Sequence, residues 1–242
     1  MAPRQPYTDE IHYIAQARSL AEGKGYVDES RRPTAYWPVG YPALLSLGYR
    51  LGGSNGIVNT VLQIALSLAT LVIVAWIGAA AFGAHIGRSA ALLLAVYPNH
   101  VFYSTLYLTE PLFCFLVTAA IGLLLRGTQM DGARKQVLFL AAAGISLGLA
   151  ALARSVVVLF PAVLPIWFLR QRWPISKVLT RTALISLCTL LAVGPWMWRN
   201  HAVTKRWFTI SSNGGDTFWV GNHPGALGGY AGWFDMGPPW GP

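Results

Sequence analysis

Four long apolar stretches decide what this chain can fold into: residues 57–82, 89–125, 137–169 and 178–198. A helix needs about 20 apolar residues to cross about 30 Å of hydrocarbon. The first and last stretches therefore each predict one transmembrane helix. The two middle stretches are too long for one crossing, so each predicts a hairpin of two spans. We expect an all-α, polytopic transmembrane bundle of about six spans.

The segment before the first span predicts two helices outside the hydrocarbon. Thr8 can cap a helix over residues 8–23, and Asp9 and Glu10 suit the positive end of that helix. Residues 41–52 are apolar but too short to cross, which predicts a helix lying at the membrane interface. Both helices belong to a structured first loop.

The spans divide the chain into three predicted parts. Residues 1–56 form a first extracytoplasmic loop, residues 57–199 the transmembrane domain, and residues 200–242 an extracytoplasmic tail. The apices of the two hairpins fall near residues 107–110 and at Arg154, so both apices lie on the same side as the first loop.

Composition excludes two broad classes of protein. The chain is 54% hydrophobic and 11% charged, whereas soluble domains carry about 25% charged residues. Its net charge of +9 does not indicate nucleic-acid binding, because the basic residues flank apolar runs and form no basic stripe. Anionic membrane lipids and a phosphate-bearing substrate explain this charge better.

Charge also predicts an orientation. The short turns over residues 83–88, 126–136 and 170–181 hold eight of the 18 basic residues but only one acid, Asp131. The positive-inside rule places such turns in the cytoplasm. The remaining eight of the nine acids lie on the opposite side, where the sequence predicts an active face.

Six segments in a fixed order carry a resemblance to a known family. They read DEIHYIAQARSLAEGKGYV, TAYWPVGYPALLSLGYRLGG, YPNHVFYSTLYLTEPLF, GISLGLAALARSVVVLFP, GPWMWRNHAV and ISSNGGDTFWVGNHP. Together they resemble bacterial glycosyltransferase family 39, the membrane enzymes related to dolichyl-phosphate-mannose protein mannosyltransferases and to aminoarabinose transferases of lipid A. The resemblance implies the GT-C fold and a multi-pass protein of the bacterial inner membrane. It also implies transfer of a sugar from a polyprenyl-phosphate carrier to a lipid, glycan or protein acceptor on the extracytoplasmic side.

The resemblance assigns chemistry to three acids. Asp9, with Glu10 beside it, is expected to be the general base that deprotonates an acceptor hydroxyl, in a reaction that inverts the anomeric centre. Glu110 matches the family's second acidic position and is the third catalytic candidate, which could position the acceptor or bind a metal. Asp9 and Glu110 are therefore candidate ligands of a divalent cation, Mg or Mn. A structural alternative stays open, because acidic residues also stabilise helix N-termini.

Two arginines and three aromatic residues are candidate substrate-binding residues. Arg154 and Arg199 could hold the carrier phosphate through their planar guanidinium groups, or could reach the interface as ordinary snorkelling side chains. Tyr36, Trp37 and Tyr41 could stack on a sugar or prenyl group, or anchor the chain at the interface.

Smaller features complete the sequence-based expectations. The turn over residues 213–216 could touch the acceptor, and Gly144 and Gly148 predict close helix packing. Ser155 follows Arg154 where the family usually has proline. Family members also usually have a helix before the first acidic loop and further spans after the tail. We therefore expect a fragment that is poorly active alone. A transporter or a non-catalytic membrane scaffold stays the alternative function.

Overall fold

The computed structural model describes residues 9–207, 210–223 and 226. Within these residues the regular elements are helices, apart from one isolated bridge between Val27 and Pro33. The α-helices are α1 (Asp9–Ala21), α2 (Gly40–Gly52), α3 (Ile57–Phe82), α4 (Ala84–Ala95), α5 (Pro98–Tyr103), α6 (Glu110–Thr128), α7 (Ala133–Ala153), α8 (Leu164–Arg170), α9 (Ile175–Thr204) and α10 (Gly214–Asn222). A 3₁₀ helix over Ser155–Val163 leads into α8. The predicted all-α class is confirmed.

Four helices of the described chain are long and apolar enough to cross a membrane: α3, α6, α7 and α9. They correspond to four of the six predicted spans. The other two arms of the predicted hairpins are interrupted. One consists of α4 followed by α5, and the other consists of the 3₁₀ helix followed by α8. The protein is therefore a multi-pass membrane protein whose hairpin arms are not all continuous helices.

Proline explains both interruptions. Tyr97 precedes Pro98 and adopts an extended conformation, with φ −68° and ψ 116°, because a residue before proline is disfavoured in the α region. In the second arm Pro161 lies inside the 3₁₀ helix, where it has no N–H group to donate. Run length alone identified these arms, but it could not show where their helices break.

Helix α7 lies at the centre of the bundle, between α6 and α9. Leu140 and Leu147 are fully buried on it, and Ile185 of α9 is fully buried beside them. Gly144 and Gly148 let α9 approach closely: a methyl group added at Gly148 would lie 2.5 Å from Cβ of Ala192. The predicted packing role of these two glycines is confirmed.

The first loop is structured as predicted. Helix α1 ends before Gly23, which has a φ of +74°. The predicted cap of this helix, Thr8, lies outside the described residues. Helix α2 is confirmed as a helix over Gly40–Gly52, and its fully buried Tyr41 and Leu45 pack among α1 and the spans. These contacts attach the first loop firmly to one end of the bundle.

Candidate functional site

Helix α1 separates its two neighbouring acids. Glu10 is 1% exposed, and its Oε1 accepts a hydrogen bond of 2.7 Å from the backbone N–H of Tyr107. Asp9 is only partly buried and lines a large cavity. Adjacent side chains on a helix point about 100° apart, so only one of the pair faces the cavity. Glu10, a candidate catalytic residue by sequence, instead connects α1 to the chain just before α6.

Glu110 and Arg154 form an ion pair at the same end of the bundle. Nη2 of Arg154 donates to Oε1 of Glu110 at 2.5 Å, and Nε donates to the Thr109 hydroxyl at 2.8 Å. The guanidinium also lies 5.8 Å from the centre of the Phe113 ring. Arg154 follows α7 in an extended conformation, and this conformation turns its side chain toward the start of α6. The two predicted site residues are therefore in direct contact.

Electrostatic coupling joins Asp9 to this pair. Burial raises the pKa of Asp9 above its ordinary value, and the positive charges of His12 and Arg154 partly oppose that shift. Burial also raises the pKa of Tyr13; the charges of Asp9 and Glu110 add to the shift, and Arg154 opposes it. Asp9, Glu110 and Arg154 thus belong to one cluster around Tyr13. A carboxylate whose pKa is raised is a stronger base than an ordinary Asp.

A large cavity adjoins Asp9. It has a volume of about 1140 Å³ and is walled by α1, the segment over residues 22–37, and the first two turns of α10. Asn213 and Asp216 line it, so the predicted acceptor turn does reach this region. The backbone there is the start of a helix, Gly214–Asn222, and not a free turn. Asp9 therefore lines an open cavity and is also within electrostatic reach of Arg154.

The three candidate aromatic residues have different positions. Tyr36 and Trp37 line the cavity, and His12 stacks on Trp37 with the ring centres 5.8 Å apart. Tyr41 is fully buried and donates a hydrogen bond of 2.6 Å to Oε1 of Gln63. A side chain that is 0% exposed offers no face to a substrate. The structure thus gives Tyr41 the role of attaching α2 to α3.

Arg199 is engaged by the first loop. Its guanidinium donates to the carbonyl oxygen of Thr34 and, at 2.8 Å, to that of Tyr26, and it lies 4.8 Å from the centre of the Trp196 ring. Arg199 is not among the described residues that line the cavity. With a further bond of 3.2 Å to Oδ1 of Asn200, three of its five N–H groups are bound within the protein, and these contacts give Arg199 a structural role in place of the predicted phosphate contact. Arg199 orders the loop that walls the cavity.

The candidate metal ligands fit a divalent cation poorly. In residues 9–207, 210–223 and 226 no group of three or more His, Cys, Asp or Glu side chains is placed to hold a metal ion. One carboxylate oxygen of Glu110 already binds Arg154, and the guanidinium charge disfavours a second cation beside it. Oε2 of Glu110 is buried without a hydrogen-bond partner among the described residues, but one oxygen atom is not a coordination site. The Mg or Mn ion stays an untested prediction.

Sequence reasoning missed three residues that organise the site. Tyr107 binds Glu10 through its backbone and Gly56 through its hydroxyl, at 2.9 Å. Thr109 holds Arg154, and the buried hydroxyl of Tyr26 donates to Oε1 of Gln16 on α1 at 2.7 Å. Tyr107 and Thr109 lie within the acidic motif TLYLTEP, which was a signal that they could matter. Tyr26 carried no such signal.

Comparisons with known proteins agree with the sequence-based resemblance. A family model described as dolichyl-phosphate-mannose-protein mannosyltransferase matches residues 37–198, which include Glu110 and Arg154 but not Asp9 or Arg199. A comparison with curated proteins finds no match.

A solved structure shares the fold. The crystal structure of ArnT from Cupriavidus metallidurans bound to undecaprenyl phosphate matches with a TM-score of 0.72 and 16% sequence identity over 91% of this chain. The chain spans 40% of the length of that protein. At this identity the likeness shows the fold alone.

Proposed function

The chain belongs to the dolichyl-phosphate-mannose-protein mannosyltransferase family, and from this premise we propose that it acts as a membrane glycosyltransferase. The donor is a sugar linked to a polyprenyl phosphate, the class of carrier named for the matching family and for the ArnT structure, which binds undecaprenyl phosphate. The acceptor is a hydroxyl group that enters from the open cavity.

One observation carries this proposal: Asp9 lines the cavity and is electrostatically coupled to Arg154, which is paired with Glu110. A transferase of this kind needs a base on the acceptor side of the reacting carbon. It also needs positive charge on the side of the departing phosphate. The cavity supplies the acceptor side and Arg154 the positive charge, and Asp9 borders the first and is electrostatically coupled to the second.

The reaction follows from this placement. The acceptor hydroxyl gives its proton to the Asp9 carboxylate as its oxygen forms a bond to the anomeric carbon. The bond between that carbon and the phosphate oxygen breaks, and the phosphate leaves with the electron pair. Attack from the face opposite the leaving group inverts the anomeric centre. The raised pKa of Asp9 makes it a better proton acceptor than an exposed aspartate.

Arg154 keeps capacity to bind phosphate. Its contacts with Thr109 and Glu110 use two of its five N–H groups, and its side chain is 46% exposed. Glu110 orients the guanidinium and leaves N–H groups free for charge-assisted bonds to the departing phosphate. We assign Glu110 to positioning Arg154 and derive no step through a metal ion.

Charge distribution supports an extracytoplasmic site in the bacterial inner membrane. Asp9, Glu110 and Arg154 lie at one end of the bundle, and the turns rich in basic residues lie at the opposite end, after α3, α6 and α8. The positive-inside rule assigns such turns to the cytoplasm. The proposed reaction then takes place on the outer side, and protease access to the two ends in sealed vesicles tests this orientation.

Two assays test the proposed function: one measures sugar transfer from the donor, and the other measures binding of the carrier without its sugar. Membranes that contain the chain are incubated with radiolabelled undecaprenyl-phosphate mannose, and transfer to endogenous acceptors is measured. Binding of undecaprenyl phosphate to the purified chain is measured by native mass spectrometry. Arg154→Met should weaken carrier binding about ten- to a hundredfold, because a hydrogen bond to a charged group contributes about 1.5–3 kcal/mol.

Arg126→Met provides the matched control, since Arg126 is exposed near the opposite end of α6. It should bind the carrier as the wild type does. Equal binding by wild type and Arg154→Met would refute the phosphate role of Arg154. Failure of the wild-type chain both to bind the carrier and to transfer sugar would refute the glycosyltransferase proposal and favour the transporter or scaffold reading.

A further inference from the structure

The charged groups that line the cavity largely neutralise one another. Five carboxylates and three permanent cations of the described residues line it. Nζ of Lys24 lies 2.5 Å from the Glu22 carboxylate, and the guanidinium of Arg18 lies 5.5 Å from the centre of the Tyr49 ring. The hydrogen bond and the charge of Lys24 lower the pKa of Glu22, and the charges of Arg18 and Arg31 add to this shift. The cavity thus has no cluster of unpaired cations of the kind that binds phosphate.

The acids outnumber the cations on the cavity wall. Asp28 is paired with Arg32 at 3.4 Å, and Glu29 lies 3.6 Å from the His12 ring. Asp9 and Asp216 add carboxylates on the two helices that face the cavity. An anionic ligand would meet like charges here, at a cost that rises as water is excluded. This disfavours a phosphorylated acceptor.

Hydroxyl and amide groups supply the other polar contacts. Gln16, Ser19, Thr34, Asn213 and Thr217 line the cavity together with the carboxylates. These side chains both donate and accept hydrogen bonds, which is the combination that a ligand with many hydroxyl groups requires. Ala15, Val27 and Val220 are the aliphatic residues of the described lining, and the polar side chains are interspersed with this apolar surface.

The two helical walls of the cavity offer little backbone to a peptide. Two walls are helices, α1 and α10, whose N–H and C=O groups beyond the terminal turns are bonded within the helix. Extended peptides are usually held by main-chain bonds to a sheet edge or in a groove with apolar side-chain pockets, and the described walls present neither. Tyr36 and Trp37 instead give an aromatic surface that can pack on the C–H face of a sugar ring.

We propose that this cavity is the acceptor site and that its acceptor is an uncharged, hydroxyl-rich saccharide. The inference rests on the proposed function, because the cavity becomes an acceptor site only if Asp9 is the base. A sugar ring against Tyr36 and Trp37 would present a hydroxyl to Asp9, while the carboxylates and amides of α1 and α10 bind its other hydroxyls. The product is then a glycosidic bond between two sugars.

The site is tested by a bulky substitution and a matched control on one helix. Thr217 lines the cavity on α10, and the next residue, Phe218, is 71% exposed and does not line it. Thr217→Trp should fill the cavity, whereas Phe218→Trp should leave it open. Binding of maltotriose to the purified chain is measured by saturation-transfer NMR, and binding of undecaprenyl phosphate by native mass spectrometry.

The expected result is that maltotriose binds the wild type and Phe218→Trp, and binds Thr217→Trp about tenfold more weakly or not at all. All three proteins should bind undecaprenyl phosphate equally. Glucose 6-phosphate and a serine- and threonine-rich peptide should bind the wild type more weakly than maltotriose does.

Three outcomes overturn the inference. One is tighter binding of the phosphorylated sugar or of the peptide than of maltotriose. Another is saccharide binding that Thr217→Trp does not change. The third is carrier binding without saccharide binding, which leaves the proposed glycosyltransferase function intact. Saccharide binding with neither carrier binding nor sugar transfer refutes the proposed function, and with it the acceptor role of the saccharide site, so the two failures are distinguishable.

Discussion

Replacing Gly148 by alanine should separate the two central helices of the bundle. The added methyl carbon would lie 2.5 Å from Cβ of Ala192 and 2.8 Å from the carbonyl oxygen of Thr189. Ordinary contact begins near 3.4 Å, so α7 and α9 must move apart by about 0.9 Å. The backbone of α9 cannot rotate away as a side chain can, so the shift involves the whole interface.

The expected decrease in the free energy of unfolding has two contributions. Overpacking a close interface costs about 1–3 kcal/mol. The hydrogen bond of 3.0 Å from the Thr189 hydroxyl to the carbonyl oxygen of Gly144 would stretch to about 3.9 Å and be lost, which costs about another 1 kcal/mol. The higher helix propensity of alanine offsets up to about 1 kcal/mol of this decrease. Gly148→Ala should therefore lower the free energy of unfolding by about 1–3 kcal/mol.

Gly122→Ala on α6 is the matched control within the bundle. Its methyl group would meet the far end of the Trp76 side chain at 3.2 Å, and Trp76 is 41% exposed and able to shift. The change in stability should stay within about 1 kcal/mol. Unfolding is followed by circular dichroism during titration with sodium dodecyl sulfate in mixed micelles. A Gly148→Ala variant as stable as the wild type would refute the close α7–α9 packing.

Three further predictions concern the site. Glu10→Ala should lower the free energy of unfolding by about 1–3 kcal/mol, since it leaves the partly buried N–H of Tyr107 unpaired. Glu10→Gln should lower it less. A Glu10→Ala variant as stable as the wild type in the same titration would contradict this role of Glu10. The raised pKa of Asp9 places the acid limb of the pH–rate profile above pH 3.8. Because ionised Asp9 is destabilised by burial, the free energy of unfolding should fall as pH rises from 3.8 to the raised value, and Asp9→Asn should remove that dependence. Arg199→Lys should keep at most one of the two bonds to backbone carbonyls. Amide hydrogen exchange around Tyr26 should therefore become faster. Unchanged exchange would show that Arg199 does not order the loop.

The fold was largely predictable because membrane spans depend on run length. The stretch over residues 57–82 became α3 with the predicted bounds, and the apex at Arg154 ends α7. The breaks at Tyr97–Pro98 and around Pro161 depend on local backbone sterics within an otherwise apolar run. Hydropathy alone does not reveal such breaks.

The site was only partly predictable because burial and distant contacts decide the roles of its residues. Asp9 and Glu10 are neighbours with the same charge, yet the rotation of α1 buries one and exposes the other to the cavity. Arg199 binds the carbonyl groups of Tyr26 and Thr34, which lie more than 160 residues earlier in the chain. Charge and motif position cannot distinguish such a structural arginine from a phosphate ligand such as the one we propose at Arg154.

The most direct test of the central claim compares sugar transfer by Asp9→Asn and Glu10→Gln. Both variants replace a carboxylate by an amide of the same shape, one residue apart, and circular dichroism and carrier binding confirm that each is folded. We expect Asp9→Asn to lower the transfer rate by about 10²-fold or more, as loss of a general base does. Glu10→Gln should retain most of the wild-type rate. A rate for Asp9→Asn equal to that of the wild type, or a greater loss in Glu10→Gln than in Asp9→Asn, would contradict the assignment of Asp9 as the base.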